Sequence, residues 1–197
     1  ADVDSAWGLV NALPTIPPRA TLQARLEAVQ ALIDQSSDKA VAIAAAIAAI
    51  DALPAPGDLT LAHTEAVETA RGLVNTAKDD HGATDTDITN LGKLTTAEAT
   101  IAALEAATAA VVKAEGSLVQ GDVDDAQLLI NALPAGDARA ALQDRLDAVQ
   151  AEIDKQAAIT AAIGAINGLP APGDLTLDDK DDVDAARALV NTAKVLG

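Results

Sequence analysis

Apolar residues recur at helical spacing in four short segments of this chain. The segment "DVDSAWGLVNALP" at 2–14 places them at positions 3, 6, 10 and 13, and "DVDDAQLLINALP" at 122–134 repeats that pattern. Such spacing lines one face of a helix, so both segments predict short amphipathic helices that end before their proline. Two further copies, "VETARGLVN" from Val67 and "VDAARALVN" from Val183, predict two more short helices.

A longer apolar stripe follows two of these helices. "LQARLEAVQALID" from Leu22 and "LQDRLDAVQAEID" from Leu142 predict long helices that continue to the twin turns "LPAPGD". Pro17 or Pro18 suits the first turn of one long helix, and Asp137 is predicted to be the N-cap of the other. The starting blocks lie 120 residues apart and the ends 116, so the second helix should be four residues shorter, about one turn.

Turn residues divide the remaining segments. "KDDHGATDTD" at 78–87 predicts a polar loop, followed by a helix over 88–118 that Gly92 and a capping box of Thr95 with Glu98 would interrupt. Beyond the second "LPAPGD" turn, Thr176 with Asp179 predicts another capping box, which would open a last helix.

The repeats define four blocks in two alternating types. They are residues 1–53 (type A), 54–118 (type B), 119–169 (type A) and 170–197 (partial type B), each a short helix with a longer helical stretch. Two narrow apolar stripes cannot enclose a core, so we expect an all-α, extended array of three-helix bundles that share long continuous helices, as in a spectrin-like rod.

Composition narrows the range of functions. Half of the residues are apolar, yet the chain has one aromatic residue and no Cys, which predicts a thin core of Ala, Leu, Ile and Val and no thiol chemistry. The net charge of -17 argues against nucleic acid and anionic membranes as partners. It is interpreted as a solubility device, with divalent cation binding as the alternative. The apolar run at 40–50 is too short to cross a bilayer.

Catalytic chemistry has few residues to use. The two histidines, His63 and His81, have no partner at metal-binding spacing, and no nucleophile elbow or phosphate-binding loop is present. His63 is interpreted as a solvated residue at a helix end. The sequence therefore predicts no catalytic residues, no cofactor and no enzyme activity.

The acidic loop and Trp7 are the remaining candidate sites. Calcium takes six to eight oxygen ligands, and the candidate ligands are the carboxylates near Gly82, namely Asp79, Asp80, Asp85 and Asp87. Helix capping and a solvated loop explain the same residues. Trp7 aligns with Arg71, Gln127 and Arg187 in the other copies, so its position is predicted to lie outside the core. It is either a partner contact or a cover for an apolar face that lacks a preceding helix.

The segments "AIDALPAPGDLTL" and "ITNLGKLTTAEATIAALE", with the two A-type peptides, resemble helical repeats of large cell-surface proteins of Gram-positive bacteria, including S-layer-type and adhesin-like proteins. The resemblance implies an extracellular location at the cell surface or wall and neighbouring domains of a larger surface protein as partners. It also implies a spacer or stalk between an anchored end and a distal functional domain. The alternative is a protein-binding helical module of an adhesin.

Overall fold

The computed structural model describes residues 3–14 and 17–196, and within these ranges the protein is all-α with no strand. Short and long helices alternate along most of the chain, as the apolar periodicity predicts. The helices are α1 (Val3–Asn11), α2 (Pro17–Asp51), α3 (Thr64–Asp79), α4 (Leu91–Ser117), α5 (Gln120–Ala132), α6 (Asp137–Asn167) and α7 (Lys180–Leu196). Short 3-10 turns lie at Pro56–Asp58, Leu61–His63 and Leu177–Asp179.

The two long A-type helices confirm the predicted lengths. Helix α2 has 35 residues and α6 has 31, which is the expected difference of four. Pro17 and Pro18 open α2, where their missing N–H groups are not needed. The prediction for Asp137 is wrong, because Asp137 is the first residue of α6 and Gly136 is its N-cap.

A close backbone approach explains why glycine occupies this N-cap. A Cβ atom at Gly136 would lie 1.8 Å from the carbonyl oxygen of Gly57, and one at Gly57 would lie 2.4 Å from that of Ala135. The turn at Pro56–Asp58 therefore packs directly against the start of α6, at a distance that only glycine permits on both sides.

Helix α4 is continuous, so the predicted interruption is wrong. The Thr95 hydroxyl donates to the carbonyl oxygen of Leu91 at 3.2 Å, and Thr96 bonds to Gly92 at 2.9 Å. Because these hydroxyls bond within the helix, Thr95 does not cap a new one. Helix α4 ends at Ser117, and the next residue, Leu118, has a φ of 52° as the chain turns towards α5.

The capping box at the start of the last helical segment is confirmed. The backbone N–H and the hydroxyl of Thr176 both donate to Asp179 Oδ2 at 2.8 Å. The bond from the Thr176 N–H, followed by that from its hydroxyl, holds the pKa of Asp179 below its usual value. In the first copy, His63 stands at the position of Asp179 and precedes α3.

The described residues form two compact units. One comprises residues 3–14, 17–54 and 62–98, and the other comprises 55–61 and 99–196. Small aliphatic side chains fill both, as the composition predicts. Buried residues of the first unit include Ala46, Ile50, Val67, Ala70, Val74, Ala77 and Leu94, and those of the second include Val123, Ala126, Ile130, Leu142, Leu146 and Val149. The four blocks are a division by sequence similarity and stay a prediction.

Candidate functional site

Two carboxylates of the acidic loop between α3 and α4 form ion pairs and hydrogen bonds that hold the loop in place. Asp85 pairs with Lys78 of α3 at 2.6 Å. Asp87 accepts bonds from the N–H and hydroxyl of Thr84 at 2.8 and 3.0 Å, and Lys39 of α2 lies 3.1 Å away. The Thr84 N–H, and then Lys39, lower the pKa of Asp87. Asp85 therefore links the loop to α3, and Asp87 links it to α2.

No three His, Asp or Glu side chains in the ranges 3–14 and 17–196 come close enough together to hold an ion. The calcium candidates Asp79, Asp80, Asp85 and Asp87 are therefore not brought together as a ligand set. His63 and His81 are half-buried and belong to no such cluster.

The Trp7 position lies at the edge of the helix packing, outside the core. Trp7 is half-buried on α1, which packs against α2. In the second copy of the peptide, Arg71 forms a two-bond ion pair with Glu98 of α4, with Nε–Oε1 and Nη2–Oε2 distances of 2.5 Å. In the third copy, the side-chain amides of Gln127 and Gln143 of α6 donate a hydrogen bond to each other, at 2.7 and 2.9 Å. In the second and third copies this position therefore bonds to a neighbouring helix, which the sequence interpretation missed.

A second two-bond ion pair lies on the other half of α4. Arg145 of α6 donates from Nε and Nη2 to the two carboxylate oxygens of Glu115, both at 2.9 Å. These bonds lower the pKa of Glu115, and the bonds that Arg71 donates to Glu98 raise the pKa of Arg71. The partners lie 27 and 30 residues apart in the chain, so local spacing gave no sign of either pair.

The start of α4 also caps the end of α2. The Asn90 amide donates to the carbonyl oxygen of Ile47 at 3.0 Å and to Asp51 Oδ1 at 2.8 Å, and Lys93 Nζ donates to the Asp51 carbonyl oxygen at 2.9 Å. The last carbonyls of a helix have no partner within it. Lys93 supplies such a partner to the Asp51 carbonyl, and the two Asn90 bonds further attach the start of α4 to the end of α2.

The recurring asparagines Asn11, Asn75, Asn131 and Asn191 are all exposed. Their repetition near the ends of the short helices predicts a structural role, in which the amide bonds either to loop backbone or to a neighbouring helix. A bond to a neighbouring helix is present at Asn11, whose side-chain oxygen accepts from Gln23 of α2 at 3.2 Å. Asn131 instead accepts from Gln127 of its own helix at 3.1 Å.

Two open grooves expose apolar side chains. One, of about 300 Å³, lies between α6 and α7, and its lining includes Ile159, Ala162, Ile163, Ile166, Val190 and Ala193. The other, of about 260 Å³, lies between α1 and α2 and is lined by Val10, Leu22, Arg25, Leu26 and Val29. Apolar surface that a folded chain leaves open commonly marks an interaction site.

Comparison with known protein families, with curated proteins and with solved structures finds no match in any of the three. The resemblance to bacterial surface repeats therefore stays a prediction. No helix in the described part of the chain combines the length and apolar character needed to span a membrane.

Proposed function

We propose that this chain is a non-catalytic spacer or stalk segment of a bacterial cell-surface protein, which holds a functional domain away from the cell wall. In this proposal the helices form three-helix bundles that share long helices along a rod, and neighbouring domains of the larger protein are the partners.

The observation that carries the proposal is the use of α4 in two helix groups. Its first half is tied to α3 by Arg71 and Glu98, within the first unit. Its second half is tied to α6 by Arg145 and Glu115, within the second. A single helix that completes two successive groups is the feature expected of an array that grows by repetition.

The thin core supports the same proposal. Helices whose buried positions are Ala, Val, Ile and Leu approach one another closely and form narrow bundles. Bundles of this kind obtain much of their stability from neighbouring repeats. The strongly acidic composition suits a chain exposed to solvent along its length.

A protein-binding module is the second candidate, and the exposed grooves favour it. Ile163 and Ile166 are 52% and 49% exposed, and Leu22 and Val29 at the other groove are 37% and 46% exposed. A host or wall protein that presents an apolar helix would cover such surfaces.

An end-to-end distance measurement tests the stalk. Because the chain has no native Cys, Leu9→Cys with Val195→Cys, both at exposed positions, places two spin labels specifically. Two helices of about 30 residues placed end to end predict a separation of about 80–100 Å between the two labels. A compact chain of this size would keep the labels within about 40 Å, and that result would refute the stalk.

A further inference from the structure

Helices α6 and α7 repeat α2 and α3 at a constant offset. Adding 116 to the number of a residue in the second half of α2 or in α3 gives its twin, so that Ile47 corresponds to Ile163 and Ile50 to Ile166. The same offset joins Val74 of α3 to Val190 of α7. The groove between α6 and α7 is therefore a second copy of a surface that α2 and α3 also possess.

The two copies differ in burial. Ile50 is 0% exposed, whereas its twin Ile166 is 49% exposed. Val74 is also fully buried, whereas Val190 is only half-buried. Because the side chains are identical, the difference comes from what lies over them.

The first two turns of α4, with the residue before them, lie over the first copy. Asn90 and Lys93 bond to the end of α2, and Glu98 pairs with Arg71 of α3. Between these polar contacts, Leu94 and Ala97 are 0% and 2% exposed. The cover is thus a helix start with Asn, Lys, Leu and Glu at relative positions 1, 4, 5 and 9.

The polar partners of such a helix are also present in the second copy. Arg187 is the twin of Arg71, but its side chain is 71% exposed and pairs with Asp184 of its own helix, at 3.8 Å. Asn167 replaces Asp51, and its amide oxygen accepts a hydrogen bond as the carboxylate does. The groove between α6 and α7 therefore offers the same three features that the start of α4 contacts in the first copy, namely an apolar surface, a helix end and a guanidinium group.

We propose that the groove between α6 and α7 is a docking site for a helix of the α4 type, supplied by another polypeptide or module. Its apolar face packs on Ile163, Ile166 and Val190. Its Asn and Lys cap the end of α6, and its Glu pairs with Arg187. The inference deepens the proposed function, since in a stalk the neighbouring module would supply this helix, but it rests on the internal repeat.

Titration with a synthetic peptide tests the proposal. A capped peptide of residues 84–105 is added to the intact isotope-labelled chain, and chemical shifts are followed by NMR. We expect saturable shifts at Ile163, Ile166 and Val190. No such response is expected at Ile50 or Val74, which are already fully buried.

Substitutions separate docking from unspecific adhesion. Ile163→Asp should weaken peptide binding at least about tenfold, because it buries a carboxylate under the peptide. The matched control Leu177→Asp, at a position 92% exposed and outside the groove, should leave binding unchanged. Arg187→Glu should weaken binding about fivefold, and a peptide with Glu98→Arg should restore it.

The free peptide is only weakly helical, so a second test attaches the same helix to the chain itself. The segment 80–105 is fused after Gly197, so that docking becomes intramolecular. We expect slower amide hydrogen exchange at Val190 and Ala193 in the fusion, and loss of that protection with Ile163→Asp. Unchanged amide exchange in the fusion would overturn the docking site, and so would peptide binding that Ile163→Asp does not weaken. Chemical shifts of groove residues that depend on protein concentration without peptide would also overturn it, because they would mean that the chain pairs with itself. None of these results alters the end-to-end distance, so the stalk is judged separately.

Discussion

The contact between Gly57 and Gly136 predicts a large effect from adding one methyl group. In Gly136→Ala the new Cβ would lie 1.8 Å from the Gly57 carbonyl oxygen, whereas ordinary contact begins at 3.4 Å. The two segments must separate by roughly 1.6 Å (3.4 − 1.8), and both sides are backbone. Overpacking of this kind costs about 1–3 kcal/mol, and we expect the upper end because no flexible side chain can yield.

The repeat provides a matched control for this substitution. Gly173 is the twin of Gly57, but a Cβ there would meet nothing within 4 Å. Gly173→Ala should therefore be neutral or stabilising by up to about 1 kcal/mol, while Gly57→Ala and Gly136→Ala are destabilising.

Thermal unfolding followed by circular dichroism measures the difference. Helical signal is the suitable probe, because the one tryptophan, Trp7, reports only on the surroundings of α1. For a chain of this length, a loss of about 3 kcal/mol lowers Tm by about 6–12 °C. Equal Tm values for Gly136→Ala and Gly173→Ala would refute the close approach of the two turns.

Two further predictions concern burial and charge. Ile50→Ala should cost about 2–5 kcal/mol of unfolding free energy, whereas the half-exposed twin substitution Ile166→Ala should cost less than half as much, as measured by urea unfolding. Arg145→Gln should raise the pKa of Glu115, which NMR titration measures. Because that pKa is lowered in the folded protein, the pair stabilises it above about pH 4.3 and this contribution is lost as the pH falls through the folded-state pKa. The pair is more than a third exposed, so Arg145→Gln should cost only about 0.5 kcal/mol at pH 7 and nothing near pH 2, and an equal cost at both pH values would contradict the assignment.

The helices and their ends could largely be predicted from the sequence, because periodicity and proline act locally. The apolar stripe of α2 and the prolines at its start and near its end determine its extent, and the offset between repeats predicts the shorter α6. The predictions at Asp137 and Thr95 are wrong because both rest on the general preference of Asp and Thr for N-caps. At the start of α6 the close contact with Gly57 makes Gly136 the N-cap, and the Thr95 hydroxyl bonds within its own helix.

The contacts of the candidate site could not be predicted from spacing. Glu98 and Glu115 pair with arginines that are remote in the chain, and their register depends on how the helices pack. One signal was available, since Arg71 and Arg145 recur as Arg187 and Arg25 in the other copies. A charged residue that repeats at a fixed position in a helical array indicates a repeated contact.

Small-angle X-ray scattering of the intact chain tests the central claim most directly. The proposed array, in which bundles are joined lengthwise by shared helices, predicts a rod on the order of 100 Å, which corresponds to a radius of gyration of about 30 Å. A compact protein with the same number of residues would have a radius of gyration near 16 Å. A value of about 30 Å that does not change with concentration is the result we predict, and one close to 16 Å would contradict the extended array.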